Sequence, residues 1–501
     1  MTRRRVWLIS CCALALSALL GGGAEPPRMT QKTETFDKDP GWEGVRNRIK
    51  LPPVRKQQDF GWSKTNHAGD APGEIGGVVR RSVTPAYYAK KIGPFTLDDS
   101  LSASGSFCLK KSTTKFGWQT GSTVFFGFFN SAQQGWRPPN FLGFELMAHT
   151  DTHAPRLEQR PALGVGLGTS KWTAGADLVS TSGSIVPIDP SKQSDPSEPF
   201  RIPPDTRLKW EFRYDPKGAN GAGLATIVFG GLKCVISLPP PLRRHGASFD
   251  RFGIFNNQIA GREMEIYLDD LSINGEFDDF ANDPGWEGKG NRDLIEDTRE
   301  YGAQDYGYSP NTNNAGGANP GEIGGFFQSV DPWETQFQGY YGDRIGPLSL
   351  KHKLTARGKF ASRQYMIDST LALGWFNSSG QGWPLKNFVG VFFDSLSDTG
   401  RIVQPLYGTS EGSKARGRDY VTFMPDGTSY EWTLEYDPDG ADGRGLISFT
   451  MNGQTVKQAL AEGDKQKGAV FDRFGVFNLG WANSKHCVVW LDDVTYTVAE
   501  E

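Results

Sequence analysis

The sequence predicts an all-β fold, two tandem antiparallel β-sandwiches of the jelly-roll kind, and three observations carry that expectation. The first is alternation. "RLKWEFRYD" (207–215), "ATIVFGG" (225–231), "MEIYLDDLSI" (264–273) and "SYEWTLEYD" (429–437) alternate apolar and polar side chains in short runs between Gly, Pro, Asn and Asp. That is the period-two pattern of a half-buried strand. The second is composition: 62 Gly and 31 Pro supply turns, while 14 Trp and 32 Phe supply core. The third is duplication.

Laid against itself, the chain repeats. "FDKDPGWEGVRNR" at 36–48 returns as "FANDPGWEGKGNR" at 280–292, and "APGEIGG" at 71–77 as "NPGEIGG" at 319–325. "NSAQQGWRPPNFLGF" at 130–144 returns as "NSSGQGWPLKNFVGV" at 377–391, and "YDPKGANGAG" at 214–223 as "YDPDGADGRG" at 436–445. "FDRFGIFN" at 249–256 and "IYLDDLSI" at 266–273 return at 471–478 and 489–496. The offset falls from about 250 to 222 between the Trp and YDP motifs, so the first copy carries an insertion at about 150–206. A period of this size is far longer than that of solenoid repeats. The expected division is a leader at 1–24, one sandwich at 25–276 and a second at 277–501.

The leader, "MTRRRVWLISCCALALSALLGGGA", has a basic start, an apolar run from Val6 to Leu20 and small residues before Glu25. This is the pattern of a cleaved export signal, too short and wrongly flanked to span a membrane. "TRRRVW" is similar to a twin-arginine signal, and that route and the general one both stay open. The mature chain is expected in the periplasm or outside the cell, with no transmembrane segment. Without Arg3, Arg4 and Arg5 it holds 51 basic against 57 acidic residues. A mildly acidic, mixed surface excludes nucleic acid as the expected partner, since phosphate binding wants a basic stripe. Three cysteines remain, Cys108, Cys234 and Cys487. A Cys108–Cys234 disulfide and two separate buried thiols are both compatible with their loss from the second copy.

One five-residue pattern occurs four times: "FGFFN" (126–130), "FGIFN" (252–256), "LGWFN" (373–377) and "FGVFN" (474–478). Alternate residues share a face, so Phe126 and Phe128 point one way and Gly127 and Phe129 the other. Glycine inside a strand fits where something approaches the backbone, either a core side chain or a ligand. Asn130 and Asn377 either start the turn that follows or face a ligand. The loops "QGWRPPNF" and "QGWPLKNF" place Trp136 and Trp383 beside proline, four residues before Asn140 and Asn387. Indole stacks on the C–H face of a sugar and amides bond its hydroxyls, but a loop Trp can equally plug the end of a sandwich. "DPGWEGxxNR" adds Trp42, Glu43 and Arg48, then Trp286, Glu287 and Arg292, as a ligand clamp or an ion-pair cluster. "PGEIGG" adds Glu74 and Glu322, each an acid among glycines.

The closing pattern, W-x-F/L-x-Y-D-P, then G-x-G, FDRFG-x-FN and LDD, resembles the last strands of concanavalin A-like lectin/glucanase sandwiches, laminin G-like modules among them. It covers both copies as strand order and short motifs. The resemblance implies the sandwich fold and a polysaccharide or glycan as ligand, bound along a concave sheet or its edge loops. It includes lectins, glycoside hydrolases and polysaccharide lyases, so activity stays open. Binding would use Trp136, Asn140, Asn130, Trp42 and Arg48, with Trp383, Asn387, Asn377, Trp286 and Arg292 in the second copy. Catalysis would use Glu74, Glu322, Glu43 and Glu287. The Asp pairs Asp269–Asp270 and Asp492–Asp493 could hold a structural calcium, a cation that takes several oxygen ligands. No other cofactor is expected. Glu263 and Glu265 have the i,i+2 spacing of a carboxylate pair, but His486 and Val488 replace them in the second copy. The expectation is an exported, monomeric carbohydrate-binding protein, the alternatives being a secreted hydrolase or lyase and a non-catalytic interaction protein.

Overall fold

The computed structural model describes residues 28–500 apart from 51, 53, 83, 113–121, 133–138, 149–160, 172–185, 188–201, 239, 259–260, 298–302, 330–336, 366–368, 381–384, 397–399, 413 and 480–485. The leader, Trp136, Trp383 and most of the 150–206 insertion lie outside the described residues.

The strands pair antiparallel and stack as two sandwiches. In the first, a six-stranded sheet runs in the order 162–168, 141–148, 122–129, 248–256, 87–96, 287–289. It faces a nine-stranded sheet ordered 186–187, 232–237, 224–229, 207–215, 101–112, 263–273, 74–80, 59–63, with 276–278 added on 263–273. The second sandwich has an eight-stranded sheet built on 43–45, 340–349, 470–478, 371–376, 388–396 and 400–408. Its nine-stranded sheet runs 48–49, 304–309, 322–328, 486–499, 354–365, 429–437, 446–451, 454–459, with 29–34 added on 486–499. Alternation decides which side is core: Tyr430, Trp432, Leu434 and Tyr436 are buried, while Glu431 and Thr433 between them face out.

The repeated pentapeptide is explained by backbone packing. Phe126 and Phe128 join the inner core. Phe125 and Phe129 form an outer cluster with Tyr87, Phe141 and Phe255. Gly127 is in register with Gly143 on one side and Gly253 on the other. A Cβ at Gly127 would lie 2.7 Å from the Gly143 Cα, and one at Gly374 would lie 2.7 Å from the Gly390 Cα. The neighbouring strand, neither a core side chain nor a ligand, takes the space. The terminal asparagines then bolt loops to strand ends. Asn478 accepts the Gly339 N–H at 2.8 Å and donates to the carbonyls of Gln328 and Phe337, and Asn256 does the same for Ala86, Ser82 and Thr84. Both are fully buried, so Asn478→Ala should cost about 1–3 kcal/mol by stranding buried backbone groups. A urea midpoint unchanged by the substitution would contradict that role.

The repeat and the packed unit are offset. Met29–Glu34 pairs with His486–Ala499, Glu43–Val45 with Tyr340–Ser349, and Arg48–Ile49 with Gln304–Ser309, all in the second half. Conversely Glu287–Lys289 pairs with Tyr87–Thr96 in the first half. Each repeat's opening segment, a strap, therefore closes the other repeat's sandwich. The two connectors, Val54–Gln57 and Leu294–Asp297, pair as they cross. In the first sandwich the Asn274-Gly275 turn carries the strand 263–273 straight into the partner strand 276–278. In the second, strand 29–34 of the first repeat fills the same place on 486–499. The expected division at 276/277 follows the repeat; strand pairing and core contacts follow the straps.

Among the described residues Cys108, Cys234 and Cys487 are buried thiols. Cys234 points into the inner core, whereas Cys108 lies with Ala68 and Tyr267 in a separate cluster. Opposite faces of the sheet leave no disulfide between them.

Candidate functional site

Glu74 and Glu322 are fully buried. Glu74 accepts the backbone N–H groups of His67 at 2.9 Å and Ala68 at 2.7 Å. Glu322 accepts those of Asn314 and Ala315, both at 2.8 Å, and the Asn314 side-chain amide at 2.6 Å. Each pins the loop ahead of its own strand rather than facing solvent. Beneath the same loops lie Asp269 and Asp492, at 2% and 0% exposure. A Cβ at Gly69 would come within 1.6 Å of Asp269 Oδ2, and one at Gly317 within 1.9 Å of Asp492 Oδ2, so a side chain at either place would push the aspartate aside. Burial pushes both aspartic acids up to about 7, with Glu74 and Glu322 among the neighbouring charges that add to it.

The calcium expectation meets a poor donor set. The second aspartate of each pair adopts a positive φ at a bulge and is held by a lysine: Lys209 on Asp270 at 3.0 Å, Lys359 on Asp493 at 2.8 Å. Asp269 and Asp492 are turned inward and biased toward the neutral acid. Among the described residues no three His, Cys, Asp or Glu side chains gather as a metal ion would need. These residues do not fit calcium.

Glu43 and Glu287 ride on the straps. Glu43 takes the Arg473 guanidinium, with Arg344 at 3.6 Å, and the Arg473 hydrogen bond holds its carboxyl below the usual range. Glu287 takes a hydrogen bond from Tyr87 and an ion pair with Arg251 at 2.6 Å, which lower it likewise. The arginine of each "FDRFG" thus grips the other repeat's strap. Its aspartate receives a serine N–H and hydroxyl, Ser131 on Asp250 at 2.8 Å and Ser378 on Asp472 at 2.6 Å.

The remaining strap residues also fasten. Trp42 is buried among Phe36, Tyr341, Phe474 and Tyr496. Trp286, half-buried, stacks on Tyr88 with centroids 5.9 Å apart. Arg48 and Arg292 donate to the carbonyls of Tyr308 and Trp62 at 2.6 and 2.8 Å. Asn130 and Asn377 cap their turns through the N–H of Ala132 and Ser379, both at 3.0 Å. Asn140 and Asn387, at positive φ, receive the N–H of Ser248 at 2.9 Å and Val470 at 3.0 Å. Every described candidate is occupied within the fold.

A different surface is open. On the outer face of the nine-stranded sheet of the second sandwich lies a trough of about 840 Å³. Its sides carry Arg357 and Lys359, Ser429, Glu431 and Thr433, and Thr450. The hairpin turn Asn452-Gly453 closes one end and the bulged Asp493 lies at the other. Lys359 also donates to the Gly316 carbonyl at 3.0 Å, which fixes its head at the trough's edge. Guanidinium, ammonium, carboxylate, hydroxyl and amide groups are thus gathered in one depression. In the first sandwich the register places Ser104, Ser106, Glu211 and Val228 at the matching positions. The side chains that line the trough are therefore not repeated in the first copy.

No protein-family model matches the chain, and no curated protein does either. Among solved structures it is similar to the carbohydrate recognition domain of Emp47p, at 11% identity and TM-score 0.27, over 36% of this chain and 85% of that one. It is similar to domains LG4-5 of the mouse laminin alpha1 chain, at 9% identity and TM-score 0.22, over 86% and 92%. Peanut lectin is similar at 15% identity and TM-score 0.22, over 36% and 85%. These likenesses concern the fold alone. The chain is a tandem of two antiparallel β-sandwiches.

Proposed function

We propose that the protein is an exported carbohydrate-binding protein that holds a polysaccharide or glycan in the trough of the second sandwich. The trough itself carries this reading: an open depression whose walls present donors and acceptors of several kinds above a floor that includes Trp432 and Met451. A sugar needs many hydrogen bonds for its hydroxyls, because each one desolvated without a partner costs free energy. A groove of this size takes a few sugar units rather than a large apolar molecule.

The purified mature chain should be retained by at least one member of a panel of immobilised polysaccharides. Replacing Glu431 and Thr433 together by alanine should weaken that retention about 10-fold or more, the loss of one or two charge-assisted hydrogen bonds. Both side chains point out of the sheet, so the variant should keep its melting temperature. Retention by no polysaccharide, or retention that the double variant leaves intact, would overturn the reading. Release of reducing or unsaturated ends in the same assay would show an enzyme instead, with Glu431 and Asp493 as the acids that line the groove.

A further inference from the structure

Strand register places one line of side chains across six strands of the sheet that carries the trough: Thr33, Thr495, Arg357, Thr433, Thr450 and Thr455. All stand on the outer face, since their chain neighbours Val494, Tyr496, Ala356, Trp432, Leu434, Phe449, Met451 and Val456 are buried, although Thr495 is itself only 9% exposed beneath its neighbours. Thr33 and Thr495 hydroxyls are 3.0 Å apart, and those of Thr450 and Thr455 2.8 Å. A hydroxyl in such a pair keeps acceptor capacity for a further partner. Strands lie about 4.8 Å apart, so the backbone positions along this line recur at close to the length of one pyranose in an extended chain, while the hydroxyls are drawn together in pairs.

The one charge in the line is Arg357. It is exposed, and among the described residues its guanidinium makes no hydrogen bond or ion pair. The neighbouring charges are engaged: Lys359 holds Asp493 at 2.8 Å, and Lys353 holds Glu435 at 2.7 Å. Glu431 lies directly across from Lys359 rather than from Arg357, whose cross-strand neighbour is Thr433. The equivalent line in the first sandwich has Ser104 in place of Arg357 and Glu211 in place of Thr433. A free guanidinium between hydroxyls is the arrangement that takes a carboxylate through two parallel hydrogen bonds.

We infer that the trough selects an acidic polysaccharide, an extended chain of uronic acids laid across the strands with one carboxylate on Arg357. This rests on the carbohydrate reading above. The hydroxyl line sets the direction of the chain, and the arginine sets its charge and position. The first sandwich, with a serine at that place, does not share the selectivity.

The test uses the full mature chain with oligomers of polygalacturonate, polymannuronate and glucuronoxylan, each compared with its carboxyl-reduced form. At least one acidic oligomer should bind about 10- to 100-fold more tightly than its reduced form. Arg357→Ala should remove that gap at unchanged melting temperature, and Arg357→Lys should restore part of it, keeping the charge without the fork. Binding to the acidic form should weaken with added salt. Equal binding of acidic and reduced forms, or a gap that survives Arg357→Ala, overturns this inference and leaves carbohydrate binding standing. Binding of no oligomer, acidic or neutral, overturns both.

Discussion

Replacing Trp42 by alanine is expected to lower the stability of the second sandwich by about 3–5 kcal/mol, the usual cost of emptying a large aromatic site in a core. The substitution falls in the first repeat, yet its effect should appear in the second half of the chain. Trp42 is 6% exposed and packs edge-on against Phe36, Phe474 and Tyr496. Its strap brings with it the strand 29–34, which pairs with residues 494–499 over six positions. Loosening the tryptophan therefore also loosens the chain's closure on itself. Hydrogen exchange separates the outcomes. Amides of 486–499 and 470–478 should lose protection in Trp42→Ala, while those of 248–256 keep theirs. The mirror variant, Trp286→Ala, should act on the first sandwich and cost less, because Trp286 is only half-buried. Protection lost in the first sandwich of Trp42→Ala would mean that the straps do not serve the sandwiches they touch.

The strands, the two copies and the buried faces were legible because each rests on a local pattern: alternation within a strand, turn residues between strands, and identical motifs at a fixed offset. The strap exchange was not, because which edge a strand pairs with is set by closure of the whole sandwich and leaves no mark on the strand's own residues. "DPGWEG" reads the same whether it closes its own repeat or the other. Glu74 and Glu322 were misleading for a related reason. An acid among glycines reads as exposed, and only the fold shows backbone N–H groups turned onto it. The trough escaped the sequence altogether. Comparing the two copies selects what both kept, and what both kept is the machinery of folding: glycines for close strands, asparagines for loops, Glu–Arg pairs for straps. Arg357, Thr433 and Thr450 come from three separate strands and differ from their counterparts Ser104, Glu211 and Val228. A surface that makes one copy distinct is invisible to a search for sameness.

Raising the pH from about 4 to 8 is expected to destabilise both sandwiches, the reverse of the usual behaviour of carboxyl groups in proteins. Burial pushes Asp269 and Asp492 from 3.8 to about 7. The folded chain thus keeps two protons that the unfolded chain releases near its ordinary carboxyl range. Stability contributed by such a group is full below the unfolded value and is lost as pH climbs toward 7. The slope is at most about 1.4 kcal/mol per pH unit for each carboxyl, less whatever solvent screening the sites retain. Around Asp492 the charges of Asp493 and Glu322 oppose ionisation and Lys359 favours it; around Asp269, those of Asp270, Glu74 and Asp279 oppose it. Asp492 Oδ2 has no hydrogen-bond partner among the described residues, so a charge on that atom is opposed only by the attraction of Lys359. Glu43 and Glu287, held below their usual range by arginine and tyrosine, act in the other sense, but their contribution is lost only as pH falls below the ordinary carboxylate range. The two effects leave a stability maximum near the acid end of the range. Asp269→Asn with Asp492→Asn keeps an acceptor for the N–H of the following residue and removes the titration. Urea midpoints of this double variant should stay level between pH 5 and 8 while those of the parent decline, and each single variant should remove the decline from its own sandwich. Parallel curves for parent and double variant would mean that these acids are already ionised in the fold, and that the loops over them close on charge rather than on a proton.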